Sequence, residues 1–403
     1  MRQKKGSSLC FTVAALLVWI AVLCQSPALA AEEGTAVTIG TGIPETPRAE
    51  VTIDWDDAWF TRDATSYRQD LALSSMALSG AAYGRNGKDV QDALKALGFE
   101  KIESYNYQLF NETGDQAAYT FGLKTVKDRT GKTVQLVAVI VRGTGDYTEW
   151  ASNLDVGTQA DHEGFAKAAE ELQKNLEKYL DKAGITEKAR GQMKFLLTGH
   201  SRGAAVANLL AVRLTETAKK ENIYAYTFAT PAVSTDAVRE GYENIFNIIN
   251  ENDLVTQVPL AGWGYHRYGV DLALPTDSGK LFEQMNGQFK ALTGQDYVSY
   301  HDPAAVEKMT DALCRLIPTT AGVNMEMFAS LLSGDFKGLS ELVKQNGFAA
   351  LLMGKTAMEV SSQLTPLLQN EQGALRSGHC MAGYYSWLSV SGDLLTAEAD
   401  TGE

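Results

Sequence analysis

Cysteine is scarce in this chain: there are four in 403 residues, and two of them, Cys10 and Cys24, sit in an apolar N-terminal stretch. Only Cys314 and Cys380 lie beyond it, which permits one disulfide and excludes a scaffold built on cystines. The fold must therefore rest on a hydrophobic core, and the chain is long enough for one large domain or two smaller ones. Positive charge is also in deficit, with 36 Lys and Arg against 49 Asp and Glu and a formal net charge of −13. Such acidity argues against nucleic acid as a partner and against electrostatic docking on anionic membranes. No repeat or low-complexity tract is visible, and the one long apolar run is N-terminal. There Arg2, Lys4 and Lys5 precede an apolar core from Phe11 to Leu23 and the small-residue site Ala28-Leu29-Ala30. This is the anatomy of a secretory signal peptide over residues 1–30, so export is expected. Its removal takes three basic residues and no acids, leaving the mature chain more acidic still.

What is present is an alternation. Residues 31–50, polar with Gly, Thr and Pro, read as a flexible lead-in. Ser66–Tyr83 and Lys88–Leu97 carry apolar residues at helical spacing, and Thr130-Gly131 between two β-rich runs marks a hairpin. Val134–Val141 is apolar at nearly every position, as a strand buried on both faces should be. Helix His162–Leu180, strand Lys194–Thr198, helix Ala204–Lys219 and strands Ile223–Phe228 and Ile245–Ile249 follow. This order predicts an α/β fold with a mostly parallel central sheet and helices on both faces. The expected core covers 51–274, a helical cap insertion 275–370, and a C-terminal return 371–403. Six of the ten methionines fall between Met285 and Met358, where they read as core filler rather than a lipid-binding lid. Ligands of such sheets sit at the carboxyl ends of the strands, so the loops after Val141, Thr198, Phe228 and Ile249 should converge.

One of those loops carries chemistry. LLTGHSRGAAVANLLA, Leu196–Ala211, places Ser201 between Gly199 and Gly203, after a buried strand and before a small-residue helix. In that context G-x-S-x-G is a strained turn that lifts a nucleophilic hydroxyl above the sheet. A serine needs a base within hydrogen-bond reach, and the base needs a carboxylate to orient it. For the acid, NIINENDLVTQVP delivers Asp253 just past a strand end, with Glu251 the near competitor. For the base, three of the five histidines follow Asp253: His266 in GYHRYG, His301 in VSYHDP, and His379 in a glycine loop entering an amphipathic helix. His379 is preferred, because a late segment can return across the strand ends. The oxyanion would be held by the N–H of Arg202, after the nucleophile, and by Thr144 in the Gly-Thr-Gly turn after Val141. The chemistry calls for no cofactor, and no metal-ligand spacing is visible; Asp54, Asp56 and Asp57 read as a solvated strand end.

These blocks resemble, in order, the fungal-type (class 3) lipase family of α/β-hydrolases. VIVRGTGDYTEWASNLD matches the family's R-G-[ST] turn, with Thr144 at the oxyanion position. DHEGFAKAAEEL matches its H-x-G-F helix entry through His162, Gly164 and Phe165. Gly199–Gly203 matches G-H-S-x-G, and FNIINENDLVTQVPL matches N-x-x-D-x-V through Asn250, Asp253, Val255 and Pro259. GYHRYG resembles a following glycine-aromatic stretch in which the histidine is structural, and HCMAGYY resembles the segment opened by the catalytic histidine. The resemblance implies an esterase or lipase acting on an acyl ester or lipid through Ser201, Asp253 and His379. It leaves room for transient contact with a lipid surface. The long separation of Asp253 from His379, and Arg202 where the family has a small residue or leucine, depart from the pattern. A non-catalytic secreted binding protein on the same fold, or a thioesterase or amidase using the same serine, are the alternatives.

Overall fold

The computed structural model describes residues 34–108, 116–143, 160–258, 264–275, 279–316, 362–364, 366–392 and 394–395. The signal-peptide segment and Thr144 lie outside the described residues, as do Pro259 and residues 317–361 of the expected cap. The chain divides into two compact units, Met1–Gly34 and Thr35–Glu403, and the described strands and helices belong to the second.

Seven strands form the main sheet, side by side in chain order: β3 (Glu100–Tyr105), β4 (Tyr119–Lys127), β5 (Thr133–Val141), β6 (Lys194–His200), β7 (Ile223–Phe228), β8 (Ile245–Asn250) and β9 (Val270–Leu274). The β3–β4 and β4–β5 pairs are antiparallel, the latter across the Thr130-Gly131 turn; β5 through β9 are parallel. Side chains alternate between two cores, as the pleat requires. Leu136, Ala138 and Ile140 of β5 join one core, and Val137, Val139 and Val141 the other. Helix α1 (Gln69–Ala81) packs beneath the first face, with α2 (Lys88–Ala96) beside it. The second face is covered by α3 (Glu163–Lys182) and α4 (Arg202–Leu214), which pack on each other. The result is the layered α/β architecture, with a mostly parallel sheet between helices, that the alternation implied.

The lead-in assigned to residues 31–50 is corrected. β1 (Thr35–Gly40) and β2 (Arg48–Ile53) form an antiparallel pair, and α1 packs on it. Val37 and Ile39 are fully inside the core, 1% and 0% exposed. The two-residue spacing of Val37, Ile39, Val51 and Ile53 was the signal; the intervening Gly, Pro and Thr, which form the turn, obscured it. Strands β3 and β9 also escape a reading by hydropathy. β3 is only half-buried and β9 alternates, so neither shows a continuous apolar run.

Beyond β9, α5 (Lys280–Thr293) packs against α8 (Met381–Val390), and α6 (Ala305–Leu316) packs on the turn that follows Asp253. A separate apolar cluster seals that turn, with Leu254, Val255 and Val258 against Ala305, Met309, Ala312 and Leu375. The chain returns through α7 (Gln372–His379), and α8 is buried along most of its length rather than on one face. Among the described residues, no helix is long and apolar enough to cross a membrane.

Candidate active site

The turn at Ser201 is built by what surrounds it. A Cβ on Gly199 would lie 2.5 Å from the backbone of Gly203, and one on Gly203 would lie 2.4 Å from the Val141 carbonyl oxygen. Only glycine allows strand β6, helix α4 and the end of β5 to approach so closely. Ser201 itself takes φ 58° and ψ −133°, a conformation nearly reserved for glycine. Such a backbone costs on the order of 1–3 kcal/mol and persists only where its surroundings enforce it. Here its N–H donates to the Phe228 carbonyl at 2.9 Å, pinning the turn to β7.

The three residues singled out as nucleophile, acid and base meet at this turn. His379 Nε2 lies 3.1 Å from Ser201 Oγ, and His379 Nδ1 lies 2.8 Å from Asp253 Oδ2. With Nδ1–H donating to the carboxylate, the Nε2 lone pair is free to accept the serine proton. Asp253 is 1% exposed and caps the one-turn helix Leu254–Gln257, its Oδ1 accepting from Val255 N–H at 2.9 Å. Its Oδ2 also accepts from the Tyr384 hydroxyl at 3.0 Å, and that hydroxyl accepts from Asn250 N–H at 3.1 Å. Asn250 then holds the opposite wall: its Nδ2 donates to the Gly378 carbonyl at 2.9 Å, and its Oδ1 accepts from Asn252 N–H at 3.1 Å.

His379 does not sit in a glycine loop, as its sequence suggested; it ends α7, and Cys380 caps α8 immediately after. Two glycines make that corner possible. A Cβ on Gly383 would lie 2.2 Å from the Ser377 carbonyl, and one on Gly378 would lie 3.1 Å from that of Asn252. Cys380 is a free buried thiol. Burial pushes its pKa up to about 12.

The remaining candidates lie elsewhere. His301 pairs with buried Glu371 at 3.2 Å, and Glu371 Oε2 also accepts its backbone N–H at 3.0 Å. His266 joins Ser234 through its backbone and lines a cleft of about 530 Å³ with Arg267 and Gln257, away from Ser201 and His379. Glu251, the competing acid, is exposed. Arg202 is buried, and its guanidinium donates to the Gln116 carbonyl at 2.6 Å. His162 is fully buried against Phe165, with ring centroids 3.8 Å apart, and neither ring nitrogen has a hydrogen-bond partner. Burial first, and then the nearby Arg202 cation, depress its pKa to about 3. Asp56 and Asp57 are engaged locally, with Ala58 N–H and with Trp55 and Lys124. Among the described residues no group of three His, Cys, Asp or Glu could hold a metal ion.

Residues 138–263, which span β5, the Ser201 turn and Asp253, match the family described as Lipase (class 3). The strand–serine–helix turn and the acid after β8 both fall inside this match. A secreted mono- and diacylglycerol lipase of Fusarium solani is 28% identical over 159 residues, which are 36% of this chain and 45% of that protein. The match thus spans about half the length of that relative. Solved structures with a similar backbone include the Rhizomucor miehei triacylglyceride lipase, at 20% identity over 52% of this chain and 80% of that one, TM-score 0.37. Another is a lipase from Rhizopus microsporus var. chinensis, at 18% identity over 61% and 84%, TM-score 0.38.

Two features of this site escaped the sequence. The tyrosine on the acid, Tyr384, follows His379 by five residues in HCMAGYY, where the paired aromatics were its only signal. The other is His200, the histidine of the G-H-S-x-G match, whose side chain had no role assigned from sequence and whose imidazole is buried beside that of His379 with ring centroids 4.9 Å apart.

Proposed function

We propose that the chain is a serine ester hydrolase of lipase type, with Ser201 as nucleophile, His379 as general base and acid, and Asp253 as the orienting carboxylate. The observation that carries this reading is the continuous hydroxyl–imidazole–carboxylate line, 3.1 Å and 2.8 Å long, at a strained strand-to-helix turn. Ser201 Oγ attacks the acyl carbonyl while its proton passes to His379 Nε2. The imidazolium so formed is stabilised by Asp253, which cannot drift because Val255, Tyr384 and His379 hold its oxygens. The oxyanion of the tetrahedral intermediate is assigned to the N–H of Arg202, at the start of α4, and to Thr144. Collapse expels the alcohol, which takes the proton back from Nε2, and leaves Ser201 acylated. Water, deprotonated by the same imidazole, then releases the acid.

The name of the Fusarium relative makes mono- and diacylglycerols the first substrates to test. It also agrees with export of this chain, which the N-terminal residues 1–30 support. The decisive experiment is hydrolysis of p-nitrophenyl esters from acetate to palmitate, and of mono- and dioleoylglycerol, by the wild type and by Ser201→Ala. Turnover by the wild type, lost by at least about a thousandfold in the variant, supports the proposal. Absence of turnover on every ester would discard it in favour of a binding role.

A further inference from the structure

Neither the sequence motif nor the mechanism gives the His200 side chain a task, yet the fold encloses it completely: His200 is 1% exposed. Its ring lies against those of Tyr83, His379 and Tyr384, and no carboxylate among the described residues bonds to it. Its two nitrogens are both engaged. Nε2 is 2.8 Å from the main-chain carbonyl oxygen of His379, and Nδ1 is 3.0 Å from the Tyr83 hydroxyl. The Tyr83 hydroxyl in turn lies close against the Gly143 main chain, since a Cβ on Gly143 would stand 2.3 Å from it.

We infer that Tyr83 and His200 are positioning residues, a relay that registers the main chain of His379 against the turn at Gly143; this rests on the reading of His379 as the catalytic base.

Each bond in the relay has one available direction. A carbonyl oxygen can only accept, so His200 Nε2 must carry the hydrogen. A neutral ring then has a bare Nδ1, which accepts the Tyr83 proton. Burial, with His379 nearby, holds the His200 pKa well below its usual value, so the ring stays neutral while His379 shuttles protons. The close fit at the far end has the same origin. A Cβ on Gly143 would stand 2.3 Å from the Tyr83 hydroxyl and 2.5 Å from the His200 carbonyl, so a side chain there would expel the phenol. Gly143 immediately precedes Thr144, the proposed oxyanion residue. His379 is thus fixed twice, at its ring by Asp253 and at its carbonyl by His200, and the second tether runs to the turn on the other side of the serine. Catalytic groups must be held to within roughly 0.5 Å, and a rigid two-ring strut between base and oxyanion turn supplies such registration.

The test uses the full mature chain and three variants: Tyr83→Phe, His200→Phe and His200→Gln. In ¹⁵N-histidine-labelled wild type, the His200 ring should read as neutral with its hydrogen on Nε2, without titrating from about pH 5 to about pH 9. On p-nitrophenyl butyrate, Tyr83→Phe should lower kcat about tenfold and His200→Phe about a hundredfold, with KM within about twofold. His200→Gln, whose amide N–H can still reach the His379 carbonyl, should recover part of that loss. A hydrogen on Nδ1 overturns the inference, as does titration of the ring near its ordinary pKa. So do variants that lose thermal stability yet keep wild-type kcat, since a merely structural role would give that pattern. If His200→Phe does not fold, Tyr83→Phe, which deletes one oxygen, still decides the kinetics. A wild type that turns over no ester removes the functional reading, while the NMR assignment still decides the relay.

Discussion

His301 and His379 occupy almost the same chemical setting. Each precedes a residue whose side chain caps the next turn: Asp302 Oδ1 accepts from Ala304 N–H at 3.0 Å, and Cys380 Sγ accepts from Gly383 N–H at 3.3 Å. Each turns Nδ1 toward a buried carboxylate, Glu371 at 3.2 Å and Asp253 at 2.8 Å. The difference lies in what else the pair touches. Glu371 spends its oxygens on the backbone N–H groups of His301 and Asp302, at 3.0 and 3.3 Å, and the His301 side chain is 77% exposed. The His379 side chain is 16% exposed, and its second nitrogen faces a serine hydroxyl on a strained turn. A histidine–carboxylate pair is therefore no mark of catalysis by itself. One pair closes a loop; the other is held in line with a third group.

The largest effects should separate these two pairs. His379→Ala is expected to lower kcat by about 10⁴-fold or more on a p-nitrophenyl ester, and Asp253→Asn by about 10³–10⁴-fold, with little change in KM. His301→Ala should stay within about twofold of the wild type in the same assay. A reversal, with His301→Ala inactive and His379→Ala active, would break the comparison and the proposed mechanism with it.

Sequence reading singled out the three groups of the proposed triad because each is announced by its own local chain. Gly199 and Gly203 bracket the serine, a buried strand ends three residues before Asp253, and His379 opens an aromatic segment. The same locality explains why β4 to β8 could be read as apolar runs while β1 and β2 could not. The latter bury only alternate residues, Val37, Ile39, Val51 and Ile53, around a polar turn. What sequence could not supply is the support of the site. Tyr83, His200 and Tyr384 act through hydroxyls and ring nitrogens whose partners lie 117 to 179 positions away. His200 and Tyr384 fall inside matched motifs, but nothing in the local chain says what their side chains hold, and Tyr83 has no motif at all. Choosing His379 over His301 from sequence likewise rested on chain position and on the resemblance of HCMAGYY, since the exposure and hydroxyl partner that tell them apart are tertiary.

The comparison extends to histidines with no carboxylate, and there it becomes a matter of stability. His162 is buried and neutral, with a folded pKa of about 3. Unfolding returns it to an ordinary value near 6.5, so below that pH the unfolded state binds a proton that the folded state refuses. Its contribution is intact above about pH 6.5 and is lost as pH falls toward about 3, at about 1.4 kcal/mol per pH unit. Urea unfolding at pH 7 and pH 4 should therefore show a loss that is smaller in His162→Phe by roughly 3 kcal/mol. Equal acid sensitivity in the two proteins would mean that this imidazole is not sealed off.

Glu371 offers a smaller, cleaner contrast with Asp253. It is 3% exposed and accepts from three N–H groups, two of them main-chain. Glu371→Ala leaves those donors to water or to nothing, which should cost about 2 kcal/mol in urea unfolding and leave kcat within about twofold.

The smallest effect belongs to the residue beside the base. Cys380 Sγ caps α8 through Gly383 N–H, and burial, which raises the thiol pKa to about 12, keeps it protonated at neutral pH. A protonated, enclosed thiol is a poor nucleophile, so the folded protein should resist iodoacetamide at pH 8 at this position. A serine hydroxyl can replace the sulfur as cap acceptor, so Cys380→Ser should change stability by no more than about 1 kcal/mol. Because the corner it caps carries His379, a fall in kcat without a fall in stability would show that the position of the base depends on this cap as well as on Asp253. In that case His379 would be set by its helix end, as His301 is set by the turn that Asp302 caps, and the two histidines would differ only in what stands opposite Nε2.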